Sequence, residues 1–248
     1  MFELKERIKK YFGFSKDEIK SLTIVILLIG FIVGFNDGRE NNVIDTFYAF
    51  NMLSSILIVA LTVLVHISAQ RIVGLQAGFK TQFKVWWYGI AFGLIASFIS
   101  KGNVWILLPG GIFVLMLEKH RLGKFRYGLN YWPIGLTSFT GPLANILLAL
   151  FFRVLSNIDV LSSNVLLEKA ILVNVAYALY TYLPIPPLDG FALFYASRLT
   201  FVFTYGTLLG AAIILVLNVS LLLTIIGALL IGGLIWGTYY WKFEREAW

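Results

Sequence analysis

Apolar runs occur along this chain at a density that a water-soluble core cannot absorb. Residues 22–35, 47–73, 85–99, 104–117, 137–152, 170–183 and 201–241 are mainly aliphatic and aromatic. Hydrophobic residues make up 59% of the 248 and charged residues 13%, against about 45–50% and about 25% in soluble domains. Crossing a bilayer core takes about 20 apolar residues, so the pattern is that of an all-α polytopic membrane protein. The 22–35 run is short, and tilt or local thinning accommodates it. The 201–241 run is too long for one span and reads as two helices turning near Asn218. Pro109-Gly110-Gly111 interrupts 104–117. A crossing there makes eight spans; short membrane-edge strands or a re-entrant segment covered by protein are the alternatives.

Charge supplies the orientation. Residues 1–20 hold six Lys/Arg, and residues 36–46 hold one. Lys80, Lys84, the basic stretch from Lys119 to Arg126, Arg198, Lys242 and Arg245 then fall on the side of the N-terminus. Basic loops face the cytoplasm, so both termini are expected there, in an integral multi-pass protein. The net charge of +7 is therefore a topology signal, and no nucleic-acid partner is expected. Residues 1–20 mix acids with bases and lack a small-residue cleavage pattern; they form a surface amphipathic helix or a charged lead-in. The division that follows is a lead-in at 1–20, a core at 21–200, a C-terminal helix pair at 201–241 and a cytoplasmic tail at 242–248.

Polar side chains inside apolar runs need a partner or a function. His66 and Gln70 lie one helical turn apart in TVLVHISAQRIVG, on one face. Asp189 follows the PIPPL break, where a helix restarts. Asn145 lies in FTGPLANILLAL and Asn174 in LVNVAYALY. Each has a plain structural reading: an interhelical hydrogen bond for His66, Gln70, Asn145 and Asn174, and an N-cap for Asp189. Each also has a functional one, ligation or catalysis. Cysteine is absent and the only other histidine, His120, sits in a basic loop, so ligand sets built from thiolates or several imidazoles are excluded.

Three stretches together resemble the site-2 protease family of intramembrane zinc metalloproteases, in its compact archaeal and bacterial form. Its His-Glu-x-x-His aligns with His66-Ile67-Ser68-Ala69-Gln70, its Gly-Pro-x-x-Asn with Gly141 to Asn145, and its Asn-x-x-Pro-x-Pro-x-Leu-Asp-Gly with Thr181 to Gly190. The resemblance spans roughly residues 20–200 and implies a site-2-protease-like helical core in a prokaryotic membrane. It implies His66 and Asp189 as remnant zinc ligands, with Gln70 in place of the second histidine. Ile67 replaces the general base, and Thr181 replaces one asparagine of the cleft while Asn145 remains.

A catalytic zinc has three protein ligands, and its water needs a proton acceptor. The leading expectation is therefore a pseudoprotease with no cofactor, binding a transmembrane helix or other membrane protein in the bilayer. The alternative is a divergent active protease, with zinc and an unforeseen third ligand. A transporter is a third class, disfavoured because no repeated pair of broken helices with charged ends is present. For topology, cysteines placed at Lys5, Asp37, Arg121 and Lys242 should label so that Asp37 alone reacts from outside the cell. Labelling of Asp37 and Arg121 from one side would overturn the orientation.

Overall fold

The computed structural model describes residues 2–39, 44–116, 131–158, 164–217 and 219–245; the basic loop, with His120, and Asn218 lie outside them. The longest apolar run forms the longest helix, α3 (Thr46–Gln76), started by Asp45, whose carboxylate accepts from the Tyr48 N–H. Before it come α1 (Phe2–Tyr11), an amphipathic basic helix, and α2 (Lys16–Gly34), capped by Ser15. After it come β1 (Phe79–Val85), α4 (Trp87–Ile99), β2 (Gly110–Met116), α5 (Tyr131–Ser156) and α6 (Val165–Thr181). The chain ends with α7 (Asp189–Ala196), α8 (Arg198–Val216) and α9 (Leu221–Tyr239), which runs into a π-helical turn at Tyr240–Glu244.

Among the described residues four helical stretches are long and apolar enough to cross a bilayer: Thr46–Gln76, Tyr131–Ser156, Arg198–Val216 and Leu221–Glu244. The protein is thus a multi-pass integral-membrane helical bundle. α2 opens on Lys16, Asp17, Glu18 and Lys20, and α6 has only 17 residues, so neither meets that standard by length and composition. α8 and α9 pack through small residues: a Cβ on Gly210 would lie 3.1 Å from the Ala228 Cα, and one on Gly206 3.2 Å from the Gly232 Cα. In a bilayer such close backbone approach replaces the hydrophobic drive.

The expectation of a helical crossing at 104–117 is not met. Residues 104–109 are extended, and Gly110–Met116 forms β2, antiparallel to β1 with Val85 opposite Gly110 and Phe79 opposite Met116. Pro109 cannot donate inside a helix, and Gly110 has φ 130°, a backbone conformation side chains resist. The extended segment lies on a glycine face of α4: a Cβ at Gly89 would sit 2.6 Å from the Leu108 carbonyl oxygen, and one at Gly93 would strike that of Ile106. Two extended residues advance about 6.6 Å and four helical ones about 6 Å, so the two backbones stay in step. The far end of α4 meets α2, where the Asn36 amide donates to Asn103 Oδ1 at 2.9 Å. The chain does return to the end from which α4 left, but as extended backbone.

The end of the bundle near α1 is held by a buried charge pair. Arg71 is fully buried, and its guanidinium bonds the Glu18 carboxylate. It also donates to the carbonyls of Phe12 (2.8 Å), Gly13 (3.1 Å) and Thr81 (3.2 Å), and lies 4.1 Å over the Phe14 ring. Glu18 accepts further from the Phe83 N–H at 3.1 Å. One contact set therefore joins the α1–α2 linker, α2, α3 and β1. Arg71→Ala strands a buried carboxylate and should cost about 3–5 kcal/mol, read as a lowered Tm in nanodiscs. Arg71→Met with Glu18→Met should recover much of it, because both charges go together. An unchanged Tm for Arg71→Ala would mean that the pair holds nothing.

Candidate functional site

His66 lies on the inner face of α3, and Asp189 opens α7 after the proline break. The fold brings them into contact: His66 Nε2 is 2.8 Å from Asp189 Oδ2, with both side chains about 2% exposed. The other carboxylate oxygen, Oδ1, accepts from the Ile112 N–H of β2 at 3.2 Å. Asp189 is thus engaged with α3 and β2, and its own helix is capped at Leu188 without a side-chain bond. Two glycines make the approach possible. A Cβ on Gly111 would strike the Pro187 carbonyl, and one on Gly190 would strike that of Tyr182.

The second wall is α5, and three residues of its GPLAN stretch, Gly141, Pro142 and Asn145, have a physical task. A Cβ at Gly141 would run into His66 Nε2 and lie 2.7 Å from Gln70 Nε2, so only glycine leaves room for both side chains. Pro142 has no N–H, which leaves the Ser138 carbonyl one turn earlier without its helical donor. Gln70 Nε2 fills that vacancy, donating to Ser138 O at 3.1 Å. Asn145 Nδ2 lies 3.2 Å from His66 Nδ1. Ser138 carries no motif of its own; the sequence signal for such a spare carbonyl is the proline four residues later. Tyr177 of α6 stands edge-on to the imidazole at 5.2 Å between centroids.

Two residues of the aligned motifs make no hydrogen bond to His66 or Asp189. Ile67 is 1% exposed and packs in an apolar cluster with Val63, Phe83, Leu107 and Tyr177, so the residue at the expected base position belongs to the core. Thr181 donates back to its own helix, to Tyr177 O at 2.7 Å, and no hydrogen bond joins it to His66. Asn174 likewise donates to Ala170 O at 2.8 Å.

The donor set does not fit a catalytic zinc. Among the described residues no group of three His, Cys, Asp or Glu side chains converges. The remaining candidates are amide oxygens: Gln70 Oε1 and Asn145 Oδ1, both buried and without a hydrogen-bond partner. His66 and Asp189 are in direct hydrogen-bond contact at 2.8 Å. The tautomer protonated on Nε2 satisfies both contacts, since it donates to Asp189 and leaves Nδ1 to accept from the Asn145 amide. Only two histidines exist, so a His120 variant assigns the spectrum. Nitrogen-15 NMR should show His66 with a protonated Nε2 and a bare Nδ1; a protonated Nδ1 would contradict this arrangement.

No family model matches the chain, and no solved structure does. The sequence is 27% identical over 182 residues to a protein of Methanocaldococcus jannaschii named "Putative zinc metalloprotease MJ0611", covering 72% of this chain and 84% of that protein. The chain is thus a multi-pass membrane protein distantly similar to a protein named as a zinc metalloprotease, with a His–Asp pair buried in its helical core.

Proposed function

We propose that the protein is a non-catalytic member of the site-2 protease type, a pseudoprotease that binds a transmembrane segment or membrane partner. In this reading the core spans 21–200, and both termini face the cytoplasm. The supporting observation is the state of the His-x-x-x-Gln face. His66 is bonded to Asp189, Gln70 has committed its amide N–H to Ser138, and Ile67 is turned into the apolar core. Hydrolysis needs an acceptor for the proton of the attacking water, and Ile67 offers none. Binding needs only a groove. One of about 630 Å³ runs along α6 between Trp105 and Tyr205, on the side of that helix away from His66.

The second reading is an active, divergent zinc metalloprotease. The named relative and the unpaired Gln70 Oε1 favour it, since that oxygen is the nearest thing to a third ligand. The two readings separate on zinc content and chelator-sensitive cleavage of membrane-embedded peptides. Wild type should carry well under one zinc per chain and cleave nothing. Gln70→His restores two imidazoles one turn apart and should raise zinc toward stoichiometry. Ile67→Glu added to it places a carboxylate among apolar side chains, and should lower Tm while leaving the gain of zinc visible. Stoichiometric zinc with chelator-sensitive proteolysis in wild type would overturn the proposal.

A further inference from the structure

One turn beyond the lined part of the groove along α6 stands a lysine. Leu172, Ala176, Leu179, Tyr180 and Leu183 line the groove, at the three- and four-residue spacing of one helical face. Lys169 continues that stripe by one turn toward the N-terminus of α6. Its ammonium is half-buried and donates to Asn51 Oδ1 at 2.7 Å and Ser55 Oγ at 2.6 Å, two neutral acceptors. An ammonium has three donors, so among the described residues one is left over. The neighbouring carboxylate, Glu168, is taken by Arg153 at 2.6 Å, and among the described residues no acid pairs with Lys169. Asn51 passes the contact on to Asn36 O at 3.4 Å, and the Asn36 amide donates to Asn103, on the opposite groove wall. Lys169 and Asn103 therefore mark the same end of the groove.

A cation beside an apolar groove in a membrane protein calls for a counter-charge from its occupant. We propose that the groove takes a transmembrane segment with an aspartate or glutamate near the end that meets Lys169. This rests on the partner-binding reading above and names the chemistry of the partner. The helical part of the stripe, from Lys169 to Tyr180, is about 16 Å long at 1.5 Å per residue, three turns of a facing helix. Ala176 at its middle lets another backbone come close. The free ammonium donor matches one carboxylate oxygen, a charge-assisted bond that strengthens as the segment excludes water.

The test uses the full chain in phosphatidylcholine nanodiscs and three synthetic apolar helices, identical except for Asp, Asn or Lys one turn from one end. A photo-crosslinking residue at Leu172 reports occupancy. Wild type should bind the Asp helix roughly tenfold or more tighter than the Asn helix. Lys169→Gln should erase that preference, and Lys169→Glu should reverse it toward the Lys helix, a gain that a misfolded protein cannot give. Ala176→Trp should exclude every helix. Equal binding of the Asp and Asn helices by wild type, still blocked by Ala176→Trp, would overturn the acidic-partner proposal and leave the groove reading standing. Absence of crosslinking with all three helices would remove both. If wild type shows no helix preference but retains added phosphatidylglycerol in native mass spectrometry, and Lys169→Gln does not, the counter-charge is a lipid headgroup and the proposal fails.

Discussion

A carboxylate at membrane depth has to be answered on both of its oxygens, and much of this fold is organised around doing so for Asp189. Its Oδ2 meets His66 of α3 and its Oδ1 meets the Ile112 N–H of β2. A lone charge in a medium of low dielectric is prohibitively costly, so α3, β2 and α7 have to stay in register. The glycines at 111 and 190 serve that requirement, because they let two backbones come within contact of the proline loop. The strand pair is fixed from its other side by Arg71 and Glu18, through Thr81 and Phe83. Two buried polar clusters therefore pin opposite strands of one small sheet.

The helices were largely legible in the sequence because apolar runs of membrane length leave few alternatives, and α3 and α5 follow the runs at 47–73 and 137–152. The proline break before Asp189 was legible for the same local reason. What escaped was set by contacts distant in sequence. The segment at 104–117 is apolar whether it is a helix or an extended chain, and the decision rests on the glycine face of α4. Arg71 finds its acid 53 residues earlier in the chain, which no spacing rule reveals. Motif spacing puts Thr181 and Ile67 at cleft and base positions, but their side chains face their own helix and the core. A motif position says which residue is present; the direction of its side chain depends on the packing around it.

Ile67 is 1% exposed and belongs to the same buried apolar cluster as Val63, Phe83, Leu107 and Tyr177. An acid at 67 would therefore have to displace apolar packing, and no cation in that cluster would answer its charge.

Pro142 shows how a gap in one helix can set the options of another. By withholding its N–H it leaves the Ser138 carbonyl as a fixed acceptor facing α3. An amide fills that acceptor now, but a backbone carbonyl is also what steadies the far nitrogen of a metal-bound imidazole. The helix therefore holds out one fixed acceptor, and the side chain at position 70 decides which donor of α3 meets it.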